Sequence, residues 1–365
     1  MKVFHFSPSE APPSKMIGIS AWLRENLFSS ALNTLITGAI AGVIFAVVTS
    51  LFQWAFLDAD WVGLSREDCG RDGACWVFVQ ARFDQFMFGF YPSEESWRPM
   101  TFMLGLAATI AVLLLGKGSV KKVGLVFALT VFPVLSVVLL YGGLAGLPVV
   151  ETHLWGGLLI TLVIALTGIV VSLPLGVVLA LGRRSSMPIV RSMSTVYIEF
   201  WRGVPLITVL FMASVMLPLF LSGGTEIDKL IRALIGVVLF NAAYMAEAIR
   251  GGLQSIPKGQ FEAAEALGLS YWKSTRLIIL PQALKISIPS IVNTFIALLK
   301  DTSLVLIIGM FDVLGIAQSA NSDPAWLGFS TESFVFAALV FWIMCFGMSR
   351  YSIYLEGKLN TGHSN

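Results

Sequence analysis

Long intervals without a single Asp, Glu, Lys or Arg are what most restrict the folds open to this chain. Charged residues are absent from Asn26 to Leu57, Pro99 to Gly116, Val123 to Val150, Leu154 to Gly182, Gly203 to Thr225 and Ser333 to Ser349. Two further apolar stretches are interrupted only near their ends: Ala233–Ile249, which holds Glu247, and Ile286–Leu299. A bilayer core is crossed by about 20 apolar residues in a helix. A helix also pairs its own backbone groups where no water can. The pattern predicts an all-α integral membrane protein with eight transmembrane helices. Composition agrees, with 56% hydrophobic residues, 13% charged and a mean hydropathy of +0.81. Soluble domains carry roughly 25% charged residues.

The remaining charges set the expected orientation. Basic clusters at the N-terminus (Lys2, Lys15, Arg24), Lys117–Lys122, Arg183–Arg191, Arg250–Lys285 and Lys358 fall on one side of an eight-span chain. Lys/Arg excess in short loops marks the cytoplasmic side, so both termini are expected there. Glu226, Asp228, Asp312 and Asp323 fall on the opposite side. The first apolar run is too long for a cleaved leader and reads as an anchor. A net charge of +2 points to no nucleic acid or acidic partner, and the three histidines (His5, His153, His363) are scattered, so no metal site or cofactor is expected.

The chain divides on this reading into four parts. Residues 1–30 form a cytoplasmic tail, disordered to about Lys15, followed by an interfacial helix with Ile17, Trp22, Leu23, Leu27 and Phe28 on one face. Residues 31–150 carry three spans and a non-cytoplasmic loop at 58–98, residues 151–357 form a five-span core, and 358–365 are a cytoplasmic tail. The loop holds Cys69 and Cys75, six positions apart with Gly70, Gly73 and Ala74 between them. On an oxidising side of the membrane such a pair favours a disulfide; two free thiols are the alternative, and a metal needs more ligands than the loop offers. Cys345, alone in the last span, reads as packing.

One polar interval in the C-terminal half stands out. Glu262-Ala263-Ala264-Glu265-Ala266-Leu267-Gly268 is followed by Ile278-Ile279-Leu280-Pro281, giving EAA-x3-G-x9-I-x-LP without a mismatch. Glu-Ala runs form helices anywhere, but seven fixed positions at fixed spacing are far more specific. The stretch resembles the cytoplasmic coupling motif of permease subunits in binding-protein-dependent ABC importers. Three other runs resemble the polar amino-acid branch of that family: Tyr197-Ile198-Glu199-Phe200-Trp201-Arg202-Gly203-Val204-Pro205-Leu206, Tyr244 to Gln260, and Leu299-Lys300-Asp301-Thr302-Ser303-Leu304. Trp201 and Val204 depart from the usual Phe and Thr. The long N-terminal half with its Cys pair and Ser96-Trp97-Arg98-Pro99 looks like the enlarged permeases of general L-amino-acid importers.

The resemblance implies a type I importer permease core with a cytoplasmic EAA helix, expected over 256–274. In it Glu262, Ala263, Ala264 and Ala266 would seat on an ATPase, Gly268 would permit a sharp exit, and Pro281 would begin the next element. The chain carries no G-x-x-x-x-G-K-[ST] loop, so ATP would be bound by a partner ATPase dimer. The other implied partners are a paralogous permease, forming a heterodimer, a periplasmic amino-acid-binding protein, an amino-acid substrate and the bilayer. Arg202, Asp301, Thr302 and Asn241 are the candidate substrate-path residues. A guanidinium fork matches the two oxygens of an α-carboxylate, and Asp301 would meet an α-ammonium. The alternatives are a snorkelling Arg202 and a helix-end ion pair for Asp301. Glu247 and Arg250, three apart, read as a structural pair. Pro174 and Gly236 are expected to weaken their helices. An intramembrane enzyme would need a nucleophile–base set or metal ligands inside the spans, and none is visible; an ion channel would need no coupling helix.

Overall fold

A computed structural model describes residues 18–70, 72–144, 146–220 and 227–359. Lys2, Lys15, Ile17, Glu226 and most of the C-terminal tail lie outside them. Described residues are overwhelmingly helical, with only isolated bridges such as Gly89 to Trp155 and Gly157 to Asp312. Among the described residues six helices are long and apolar enough to cross a membrane, or eight if two bent pairs each count as one span. The chain divides into two compact units at Val77/Phe78.

The first unit contains α1 (Ile19–Asn26) and α2 (Ala31–Phe52). Ser30 caps α2 by accepting a hydrogen bond from the Asn33 N–H at 3.1 Å. No residue of α2 is buried within the chain, and a helix that is apolar all round belongs in a protein core or in a membrane. α1 leaves Ile19 and Trp22 exposed. After α2 the chain folds back in a compact turn. Ala74 N–H donates to Trp54 O at 2.9 Å, Asp60 N–H to Ala74 O at 2.9 Å, and the Trp76 indole to Ala55 O at 2.8 Å. Cys69 and Cys75 are joined within it, their Cα atoms 5.6 Å apart.

The second unit begins within α3 (Trp76–Ala81) and continues through α4 (Phe83–Phe88), α5 (Trp97–Leu115), α6 (Gly118–Leu129) and α7 (Val131–Tyr141). The segment read as a loop at 58–98 is therefore structured. Phe78 packs on Trp326 with ring centroids 5.4 Å apart, Phe86 on Phe336 at 4.8 Å, and Arg82 pairs with Asp323. α6 and α7 meet at 43°. Arg98 is fully buried in α5 and acts as a staple: its Nε donates to Leu139 O at 2.6 Å and its Nη1 to Pro148 O at 2.9 Å. Those carbonyls belong to the end of α7 and the segment after it, where helix geometry leaves acceptors unpaired. Tyr91 hydroxyl donates to Leu140 O at 2.8 Å, and Gly156 N–H to Phe88 O at 3.2 Å. Residues 78–150 thus pack with the C-terminal helices in one compact unit, with Phe102, Leu106 and Leu140 in the same buried cluster as Leu159 and Leu298.

α8 (Gly157–Arg183), α9 (Pro188–Gly203), α10 (Leu206–Phe211), α11 (Leu217–Phe220) and α12 (Lys229–Gln254) come next. Residues 188–203, which begin inside the basic cluster at Arg183–Arg191, form a 16-residue helix with Pro188 in its first turn. The chain then turns by 98° at Val204-Pro205 into Leu206–Phe220. α8 and α12 run unbroken through Pro174 and Gly236. Small residues set helix spacing here: a Cβ on Gly176 would lie 2.7 Å from the Cβ of Met245 on α12, and one on Gly252 of α12 would overlap the carbonyl of Ala283 in the later helix Leu280–Asp301. Close approach of this kind is how membrane helices gain packing energy without a hydrophobic drive.

α13 (Lys258–Ala266), α14 (Tyr271–Ser274), α15 (Leu280–Asp301), α16 (Val313–Ala320) and α17 (Ser330–Leu359) complete the unit. Two buried clusters lie along α8, α12 and α15. One gathers Leu159, Ile160, Ile164, Val237, Phe240 and Leu298; the other gathers Ala180, Ile198, Met245, Ile249, Leu253 and Ala283.

Candidate functional site

A cavity of about 360 Å³ opens between α12 and α15, and every residue lining it belongs to those two helices. α12 contributes Asn241 and Tyr244; α15 contributes Ser290, Asn293, Thr294 and Asp301. On α15 these polar positions recur at helical spacing, so one face of an otherwise apolar helix turns toward the cavity. Asp301 is half-buried and makes no hydrogen bond or ion pair among the described residues. The alternative pairing with Lys300 is not formed. Asn241 is nearly buried and donates from Nδ2 to Val237 O at 2.9 Å. Two of the four candidate residues, Asn241 and Asp301, therefore share a cavity. Ser290, Asn293 and Thr294 were not singled out from sequence, although their spacing within α15 carried the signal, and Tyr244 entered only as the first residue of a family-like run.

Thr302 does not join them. Its side chain is buried and its hydroxyl donates to Leu299 O at 2.8 Å, closing the last turn of α15. Arg202 is absent from the lining but adjoins it: its guanidinium carbon lies 5.8 Å from the centroid of Tyr244. Its ion partner is Glu247, 3.6 Å away. Glu247 is the hub of a network. Arg250 grips both of its oxygens, with Nη2 at 2.8 Å, and Arg183 donates to it at 2.6 Å and to Glu199 at 2.7 Å. The Glu247–Arg250 pair forms as its spacing predicts. Two carboxylates and three guanidiniums thereby tie α8, α9 and α12 together, and Tyr197 adds a hydrogen bond to Leu239 O at 2.8 Å.

The EAA segment is two pieces rather than one helix over 256–274. α13 stops at Leu267 and α14 starts at Tyr271. Gly268 has φ +67°, Gly268 N–H donates to Glu265 O at 2.8 Å, and Leu269 N–H donates to Ala264 O at 3.1 Å. These two bonds close the helix in the Schellman arrangement, which needs a left-handed residue at that position. Glu262, Ala263, Glu265 and Ala266 are exposed on α13, while Ala264 is turned into the chain's own core. Ala264 is thus a packing residue, not part of the outward face. Pro281 lies in the first turn of α15, directly after a π-type turn at Thr275–Ile279. Exposed Leu267, Tyr271 and Trp272 extend the outward surface.

Among the described residues no group of three or more His, Cys, Asp or Glu side chains could hold a metal. Asp312 is a buried carboxylate in the segment between two candidate spans, Tyr271–Ile308 and Ser330–Leu359. Its Oδ1 accepts from Gly315 N–H at 2.8 Å and caps α16, while Oδ2 has no partner among the described residues. Burial pushes its pKa up from 3.8 to about 6, against the lowering effect of backbone hydrogen bonds.

Residues 172–360 match the family model of the binding-protein-dependent transport system inner membrane component. The chain is 56% identical over 347 residues to the Escherichia coli inner membrane amino-acid ABC transporter permease protein YhdY, covering 94% of each. It is 42% identical over 428 aligned positions to the glutamate/glutamine/aspartate/asparagine transport system permease protein BztC of Rhodobacter capsulatus, covering 98% of this chain and 97% of that one. Among solved structures, an amino acid ABC transporter crystallised with histidines shares 29% identity at a TM-score of 0.50, over 55% of this chain and 92% of that one. The spans, the polar cavity between α12 and α15, the two-piece EAA segment and these likenesses converge, and the chain belongs to the family of inner membrane components of binding-protein-dependent transport systems.

Proposed function

We propose that the chain is the membrane-spanning permease subunit of an ABC importer that moves polar L-amino acids from the periplasm to the cytoplasm. ATP hydrolysis on a separate ATPase dimer drives it, and a periplasmic binding protein delivers the substrate. The observation that carries the reading is the unpaired Asp301 carboxylate in a polar cavity, in a chain whose full-length relatives are named for amino-acid transport. Asp301 receives the α-ammonium, and Asn241 and Asn293 offer amide donors and acceptors. Arg202 reaches a carboxylate only by exchanging its contact with Glu247, so its first role is structural and its substrate role belongs to a rearranged state. The exposed face of α13, with Glu262 and Ala263, seats on the ATPase. Both termini and α13 lie in the cytoplasm, and the Cys69–Cys75 bond lies in the oxidising periplasm. A related second permease completes the pathway.

The test is uptake into proteoliposomes holding the purified complex and its binding protein. ATP-dependent uptake of glutamate, glutamine, aspartate or asparagine is expected, with no flux when ATP is withheld. Uptake without ATP would instead indicate a channel. Coupled transport of a solute lacking an amino-acid backbone, with none of these four, would replace the substrate assignment.

A further inference from the structure

Where α8 ends and α9 begins, an open cleft of about 870 Å³ is lined by Arg183, Arg184, Arg191 and Arg250, with hydroxyls from Ser186 and Thr195. Among the described residues, no carboxylate lines it. Arg183 and Arg250 are neutralised from behind by Glu247 and Glu199. Arg184 and Arg191 form no ion pair among the described residues; Arg184 only donates to Leu253 O at 2.7 Å and stacks 5.4 Å over Phe261. The cleft therefore carries uncompensated positive charge. An orientation signal requires only that basic residues be present on one side; it does not require that they converge with hydroxyls on one concave surface.

Two observations say what the cleft would hold. α8 has 27 residues, about 40 Å of helix. That is close to the roughly 40–45 Å of a bilayer with its headgroup layers, so its last turn lies at headgroup depth. Beside the cleft, α9 exposes Ile189, Met193, Val196 and Phe200 at helical spacing, a stripe suited to acyl chains. A concave basic patch next to an apolar stripe fits an amphiphile better than a small soluble ion. We propose that this cleft binds the phosphate headgroup of an anionic phospholipid, with α9 taking its chains. Guanidiniums match phosphate oxygens in pairs, and basic pockets between membrane helices are known to take such headgroups. Arg184 links the site to Phe261 on α13, the segment read as the coupling helix. The lipid site itself depends on the chain spanning a membrane and not on which solute it carries.

The experiment uses the chain purified in its complex, in nanodiscs of phosphatidylcholine with or without phosphatidylglycerol. Native mass spectrometry of the released complex reads which lipid is retained. Wild type should retain phosphatidylglycerol preferentially, and the double variant Arg184→Gln/Arg191→Gln should lose about 25-fold in that preference, at about fivefold per cationic side chain near an anionic surface. Arg184→Lys/Arg191→Lys, which keeps the charge, should retain most of it and shows that the cleft still folds. Inorganic phosphate titrated into phosphatidylcholine discs separates the sources: phosphate binding with the same arginine dependence, and no lipid preference, assigns the cleft to a soluble phosphate and overturns the lipid. Equal lipid retention by wild type and the Gln variant overturns the site, as does loss of the ATPase from the Gln variant, which would make the cleft a subunit interface. None of these readouts uses transport, so a wrong substrate assignment leaves them unaffected.

Discussion

At the scale of single residues, Asp301 and Asp312 illustrate two fates of a carboxylate in an apolar protein. Asp301 borders a cavity and has no partner among the described residues; Asp312 is fully buried with one oxygen unpaired. A hydrogen bond to a charged group is worth about 1.5–3 kcal/mol net. Asp301→Asn should therefore raise the half-saturating substrate concentration by about ten- to a hundredfold, with assembly and basal ATPase retained. Unchanged uptake of every amino acid would remove Asp301 from the path. Asp312 makes a pH prediction. Its carboxyl holds a proton up to about pH 6 in the fold but only to 3.8 when unfolded. More protons are bound in the fold between those values, so stability falls as pH rises through that window. The gap of about two pH units corresponds to a loss on the order of 3 kcal/mol. Apparent Tm in detergent should drop between pH 4 and pH 7, and Asp312→Asn, which keeps the cap on Gly315, should flatten that drop. An equally steep profile in the variant would assign the effect to other groups.

At the scale of elements, the EAA segment shows what sequence carried and what it did not. The motif located α13 because its spacing is specific, but the expected helix over 256–274 ran through Gly268. The stop is set by a left-handed residue and two backbone bonds, Gly268 to Glu265 and Leu269 to Ala264, which are local and legible only if that glycine is read as a terminator. No atom lies near the position of a Cβ on Gly268, so a side chain there is opposed only by its backbone angle, at about 1–2 kcal/mol. Gly268→Leu should thus leave the complex assembled and uncouple ATP hydrolysis from uptake. Gly268→Asn, which tolerates the left-handed region, should recover much of the coupling. Coupling that is normal in the Leu variant would mean the turn is not part of the transmission. Helix α9 escaped sequence reading for a different reason: its arginines and serines break the apolar run, and span detection by charge-free length cannot see an amphipathic helix. Arg98 stood out only as part of a motif, because no sequence pattern announces that a guanidinium will collect carbonyls from residues about 41 and 50 positions away. On α15 the polar positions at 290, 293, 294 and 301 were legible by periodicity. The partner of Arg202 was not, because Glu247 lies on another helix, a long-range pairing that spacing cannot reveal.

At the scale of the whole molecule, the cavity itself argues for a second permease. The described residues that line it all come from α12 and α15, so on the proposed function this chain would hold a solute on one side only. Translocation requires that a charged solute be held away from hydrocarbon, where an unpaired charge is costly, and a closed path needs walls all round. A second bundle of the same family facing α12 and α15 would supply them. Either an identical copy or a paralogue would satisfy that geometry. A paralogue is favoured because an amino acid has two unlike charged ends, and two unlike half-sites can offer an acidic and a basic partner without duplicating either. Co-expression of two differently tagged versions of this chain with its neighbours separates the options. Purification through one tag should bring down a different permease and an ATPase, but not the second tagged version. If the second version is recovered in amounts comparable to the first, the pathway is built from two copies of this chain, and Asp301 is then present in both halves of the site.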